Sequence, residues 1–318
     1  MVTGERDLYS LPPWWDSSTA AADGGRTLSA MVSTPRIRTL ATAGAVLFAV
    51  TACAPQNEPA PPPSTSDAAS CAKENLPTQT PGKLTIATDQ PAYQPWFVDD
   101  KPENGQGYES AVAYAVAEKL GYTRDEVVWT RVKFDSAIAP GPKSFDFDIN
   151  QFSITEERKK AVDFTAPYYL VRQTVIALKS SKIAGKTSLA DLREAKLGAQ
   201  VGTTSYQAIT DVVKPTTKPQ VYNSNDDAKK ALQNGQLDGL VVDLPTAFYI
   251  TAAEIDDAVI VGQLPQVGTP EAFGLLLDKD SPLTGCVSNA VGQLTADGVL
   301  KQLEQQWLAQ VAGAPELT

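Results

Sequence analysis

Four places in this chain combine residue types that can hold a charged group. Arg158, in the run Thr155-Glu156-Glu157-Arg158, carries a planar fork that can bond both oxygens of a carboxylate, or it is a solvated helix charge. Gly202-Thr203-Thr204 stands where a strand gives way to a helix, so free backbone N–H groups and the positive end of the helix dipole converge on it. Asp243 ends the apolar run Gly239-Leu240-Val241-Val242, where it is either a counter-charge in a crevice or a cap for the helix after Pro245. Asp89 follows the strand-like run 83–88 and could meet a cationic or amide group.

The composition narrows the chemistry further. The 318 residues include no histidine, which removes Ser-His-Asp and Cys-His nucleophiles, His-bound metals and imidazole acid–base catalysis. A net charge of -10 argues against a nucleic-acid partner, which needs a basic face. Cys53, Cys71 and Cys286 are too few for a disulfide scaffold and too scattered for a zinc ribbon. The length and a hydrophobic fraction of 42% suit about two domains with substantial cores.

The elements that must position these residues alternate. Strands are expected at 83–88, 127–132, 145–149 and 174–178, with an amphipathic helix over 107–120 and a short helix at 135–138. A second set follows: helix 188–194, strand 196–201, helix 206–213, strand 220–222, helix 226–233, strand 239–242, helix 245–253 and strand 259–261. Strand 273–277 returns to the first set, and helices 281–295 and 299–308 finish the chain. The pattern predicts an α/β protein of two open sheets flanked by helices. Lobe one takes 83–172 and 266–318, lobe two takes 173–265, and ligands of such sheets bind at the carboxyl ends of strands.

The first eighty residues read as targeting and tether. Met31, Arg36 and Arg38, the apolar run 40–50 and then Val50-Thr51-Ala52-Cys53 form a secretory signal over 31–52 that resembles a bacterial lipobox, with Cys53 the lipidated residue. Residues 1–30 then read as an upstream extension of the true start. Residues 53–80, rich in Pro, Ser, Thr and Ala, read as a disordered tether. Export places Cys71 and Cys286 in an oxidising compartment, where they pair as a disulfide within lobe one or remain two buried thiols.

One run is more specific. Asp148-Ile149-Asn150-Gln151-Phe152-Ser153-Ile154-Thr155-Glu156-Glu157-Arg158, followed by Val162-Asp163-Phe164-Thr165-Ala166-Pro167-Tyr168-Tyr169, resembles the family 3 extracellular solute-binding proteins, the polar-amino-acid receptors of ABC transporters. Thr88-Asp89, Gly107-Tyr108-Glu109, Gly202-Thr203-Thr204, residues 238–243 and the run from Ala296-Asp297-Gly298 to Trp307-Leu308 follow the family's order. Ser110 and Ala111 depart from the signature, as do Asn150 and Gln151, which stand where small residues are usual.

The resemblance implies a two-lobed periplasmic-binding-protein-like fold of class II type, joined by two hinge strands. It implies an importer's lipid-anchored receptor on the outer face of the cytoplasmic membrane. That receptor is a monomer without cofactor or metal, and it passes a polar amino acid to a membrane permease. The ligand's carboxylate would meet Arg158, the Ser153 hydroxyl, and the N–H groups of Ser153 and Thr204 within the Gly202-Thr203-Thr204 turn. Asp243, the Asn150 carbonyl and Gln151 would meet the ammonium, and Tyr93 and Phe134 would wall the side chain, with Asp89 favouring glutamine or a basic one. A dehydratase-like enzyme on the same fold and a sensory or envelope lipoprotein are the alternatives.

Overall fold

Two five-stranded sheets carry the chain from residue 84 to residue 278 in the computed structural model, which describes residues 71–266, 268–309 and 313–318. The expectations for 1–30, 31–52 and Cys53 lie outside the described residues.

The first sheet contains β1 (Leu84–Thr88), β2 (Val127–Arg131), β3 (Phe147–Asp148), β4 (Val162–Leu170) and β10 (Ala272–Asp278), in the order β2-β1-β3-β10-β4. The second contains β5 (Gln173–Leu178), β6 (Leu197–Gln200), β7 (Gln220–Tyr222), β8 (Gly239–Asp243) and β9 (Ala258–Gln263), in the order β7-β6-β8-β5-β9. Both share one plan: three parallel strands, then an antiparallel strand that arrives from the other lobe. The two crossings run side by side, since Val171 N–H donates to Glu271 O at 3.0 Å and Leu264 N–H to Gln173 O at 2.8 Å.

Local chemistry explains most elements. α1 (Tyr108–Lys119) opens after Gly107 and ends beside Gly121; α2 is Phe134–Ile138, and α3 (Leu189–Leu192) is capped by the Ser188 hydroxyl. α4 (Thr204–Ala208) and α6 (Leu244–Tyr249) each run on into a wider π turn, and α5 (Asn225–Gln233) is capped by Ser224. α7 (Thr284–Ala296) and α8 (Val299–Trp307) close the first lobe over α1.

Three elements depart from the sequence pattern. The expected amphipathic helix is buried on every side from Tyr108 to Ala117, because α7, α8 and the turn Pro102–Asn104 cover the face turned from the sheet. β4 is absent from the expected strands, since Pro167 interrupts its apolar run; at the edge of the sheet a residue without an N–H is tolerated. Residues 71–80 are not tether. Cys71 is bonded to Cys286, Leu76 is buried, Gln79 N–H donates to Asp146 at 2.7 Å, and Lys73 pairs with Glu126 at 2.6 Å.

The last residues also change lobe. The pattern assigns residues 313–318 to lobe one, but Leu317 packs in the core of lobe two and Glu316 bridges Gln263 in register. Leu189 N–H donates to Thr318 O at 2.8 Å, so this segment lies along the second sheet. Among the described residues no helix is long and apolar enough to cross a membrane.

Candidate functional site

The parallel strands of both sheets deliver their carboxyl ends to one cavity. From lobe one, Asp89 follows β1, Asn150 and Gln151 follow β3, and Tyr93, Phe134 and Arg158 complete the wall. From lobe two come Thr203 and Thr204 after β6 and Asp243 at the end of β8. Gln200, Ser205, Asn225, Val242 and Thr246 also line it and are not singled out by the sequence. Asn225 and Thr246 sit in first turns of α5 and α6, where no sequence signal marks them as cavity walls.

Arg158 is held by its own neighbourhood. Its backbone N–H donates to Thr155 Oγ1 at 3.1 Å, and its NH1 donates to Ser153 O at 2.7 Å. NH2 reaches the other lobe and donates to Gly202 O at 3.0 Å. The guanidinium lies 5.3 Å from the Phe134 ring centre, and Phe134 stacks on Phe152. Burial lowers its pKa to about 10, against the pull of Glu271 and Asp243, so it stays charged at neutral pH. Three of its five N–H groups remain for an anion.

Two implied contacts are arranged differently. Gly202 is not a cavity wall; it offers its carbonyl to Arg158 instead. The Ser153 hydroxyl, given by the resemblance to a ligand carboxylate, donates to Glu271 Oε1 at 2.6 Å and lies 3.1 Å from Thr204 Oγ1. A hydroxyl has one proton, and in this arrangement Glu271 takes it.

Glu271 and Gln173 sit on the two crossings and form a cluster that sequence reasoning missed. Gln173 Nε2 donates to Asp243 Oδ1 at 2.8 Å and lies 3.1 Å from both Glu271 oxygens, while Gln173 Oε1 accepts from Ser205 Oγ at 2.7 Å. Burial first, and then repulsion from Glu271, holds the Asp243 carboxyl well above the usual range; Gln173 and Arg158 oppose the rise. Asp89 accepts from Gln90 N–H at 2.6 Å and Phe134 N–H at 3.2 Å, which places its carboxylate at the start of α2 as well as on the cavity. Its pKa is also raised, chiefly by burial.

A positive guanidinium and two carboxylates therefore face one cavity from two lobes. Residues 84–310 match the bacterial extracellular solute-binding proteins, family 3. The chain belongs to this family. It is 31% identical to the ABC transporter arginine-binding protein 1 of Escherichia coli over 64% of this chain and 82% of that protein. It is 29% identical to the L-arginine-binding protein of Pseudomonas aeruginosa, over 71% and 90%. Among solved structures, an ancestral arginine-binding protein bound to glutamine superposes with a TM-score of 0.60 at 30% identity, covering 72% of this chain and 98% of that one. These family relatives are amino-acid-binding proteins, and the two-sheet fold expected from the sequence is theirs.

Among the described residues, no group of His, Cys, Asp and Glu is placed to hold a metal ion.

Proposed function

We propose that this protein captures a polar amino acid with a cationic side chain, by closing its two lobes, and presents it to the permease of an ABC importer. It is exported and held at the outer face of the membrane by lipid on Cys53. The observation that carries this reading is the placement of Arg158 on lobe one and Asp243 on lobe two, both facing one cavity. A zwitterion bonded to both favours the closed arrangement, because the open one offers it only one anchor at a time.

Within that reading, Arg158 and the Thr204 N–H hold the ligand's carboxylate, while Asp243, Asn150 and Gln151 hold its ammonium. Tyr93 and Phe134 flank the side chain, and Asp89 meets its tip. Asp89 and Asp243 outnumber Arg158 on the walls, so a second positive charge on the ligand improves the balance. The arginine-binding relatives support this preference, and the glutamine-bound neighbour keeps a neutral amide in view.

Calorimetry with a panel of amino acids tests the proposal. Basic amino acids are expected to bind tightest, and Arg158→Ala should abolish binding while leaving the circular dichroism spectrum intact. Undiminished affinity in Arg158→Ala would remove the carboxylate anchor from this site.

A further inference from the structure

Glu109, the second residue of α1, is wholly buried, and its carboxylate is directed at a residue of the cavity wall. Its Oε1 accepts from the Gln151 backbone N–H at 2.8 Å and from the Tyr168 hydroxyl, and its Oε2 accepts from Gln151 Nε2. Gln151 has a φ of 48°, in the left-handed region that non-glycine residues rarely occupy. One carboxylate thus grips both the backbone and the side chain of the same unusually folded residue.

An amide side chain has a donor end and an acceptor end of nearly equal size, so its orientation follows its partners. An ionised carboxylate can only accept. Glu109 therefore takes one hydrogen of Nε2, which leaves the side chain of Gln151, a residue of the cavity wall, with the other Nε2 hydrogen and Oε1, and of these only Oε1 can accept from a cation. We propose that Glu109 is a positioning residue that fixes Gln151 as a hydrogen-bond acceptor for the positively charged head of the captured molecule. This rests on the amino-acid reading above and extends it: recognition of the ammonium depends on a buried carboxylate that never touches the ligand.

The groups facing Glu109 are Tyr168 from β4, Tyr108 on its own helix, Asp148 on β3 and Asp243 across the cleft. Burial raises the Glu109 pKa to about 7, against the bonds from Tyr168 and Gln151. Once protonated, the carboxyl gains a donor and no longer dictates which way the amide turns. Glu109→Gln imitates that state at every pH, and because it also removes a charge that raises Asp243, any effect carried through Asp243 would strengthen ammonium binding rather than weaken it.

Calorimetry with arginine on the wild type and Glu109→Gln tests the proposal. Loss of one oriented acceptor for a charged group should weaken Glu109→Gln about tenfold at about pH 8.5, with convergence to within about twofold at about pH 5.5. In a Gln151→Gly background, which suits the backbone angle and removes the amide, Glu109→Gln should cause no further loss. Equal affinities at the higher pH, or an additive loss in the Gln151→Gly background, would overturn the proposal. Should Glu109→Gln not fold, the wild type and Gln151→Gly are compared across the same range. A step near pH 7 that is no larger in the wild type than in Gln151→Gly would overturn it too. A wild type that binds no amino acid would instead refute the functional reading, so the two failures are distinguishable.

Discussion

The Trp96 indole Nε1 donates to Thr246 Oγ1 at 2.9 Å, a buried bond that joins lobe one to lobe two beside the site. Trp96 is fully buried against Tyr108, Tyr169 and Phe273, while Thr246 lies in the first turn of α6 and lines the cavity. A bond between the two lobes is lost if opening parts these residues, so we expect it to weight the closed state. Thr246→Val keeps the shape and removes the acceptor, which leaves a buried N–H unpaired at a cost of about 1–3 kcal/mol. Amino-acid affinity should fall about tenfold, with little change in the melting temperature of the ligand-free protein. Trp96→Phe breaks the same bond, so the double variant should bind no worse than the weaker single one. Additive losses in calorimetry would show that the two residues act separately.

The disulfide between Cys71 and Cys286 joins residues 215 positions apart and fastens the segment that leads into β1 to α7. Closing so long a loop in the unfolded chain gives a stabilisation of about 2–5 kcal/mol. Cys286→Ser should lose about that much in denaturant unfolding. Residues 71–80, with Leu76 as their main apolar anchor, should become the first site of proteolytic cleavage. An unchanged unfolding midpoint would assign the docking to the Gln79–Asp146 and Lys73–Glu126 contacts instead.

Stability should change with pH in a direction set by buried acids. Burial holds Glu109 at about 7 against an ordinary 4.5, and burial likewise raises Asp89, Asp146, Asp148 and Asp243. The native protein therefore binds more protons than the unfolded chain in this window. The stability these acids contribute is complete below their unfolded pKa values and is lost as pH rises through the folded ones. The bond from Lys73 pulls Glu126 down to about 2, and Asp163 is lowered by Lys279 and Thr284 despite burial, so these act oppositely at lower pH. The ligand-free melting temperature should peak near about pH 5 and fall toward about pH 8. In Glu109→Gln the decline through neutrality should be shallower. A wild-type melting temperature that rises from about pH 5 to about pH 8 would contradict the burial of these carboxyls.

Most of the fold is legible in the sequence because alternation and helical spacing survive wherever one face is buried, as in 83–88 and 226–233. β4 is hidden by Pro167, which reads as a breaker until an edge position makes its missing N–H harmless. The tether reading runs on to residue 80 because a single buried leucine cannot announce a docked segment within Pro- and Thr-rich sequence. Arg158 and Asp243 are readable from their motifs. The Glu271–Gln173 contact spans 98 positions and exists only because two crossings lie side by side, a relation that no local pattern encodes. Glu109 reads from the sequence only as part of the Gly107-Tyr108-Glu109 run, and the bonds its carboxylate makes to Gln151 appear only in the folded chain.

Gly107 makes the junction between the Trp96 loop and α1 possible. It has φ 97° and ψ 155°, and the first N–H groups of the helix donate to the carbonyls of Pro95 and Trp96 at 3.0–3.3 Å. A Cβ here would stand 2.6 Å from the Trp96 carbonyl carbon and 2.7 Å from Phe97 Cα, both backbone atoms that cannot swing aside. Gly107→Ala should therefore cost about 3 kcal/mol or more, with loss of amino-acid binding as Trp96 and Glu109 shift together. Gly292, exposed within α7, is the control, because a methyl group added there would meet nothing within 4 Å. There alanine removes backbone freedom from the unfolded chain and should stabilise the protein by about 0.5–1 kcal/mol. Urea unfolding of the two variants checks both signs, and a Gly107→Ala protein as stable as the wild type would mean that the Trp96 loop approaches α1 less closely than this.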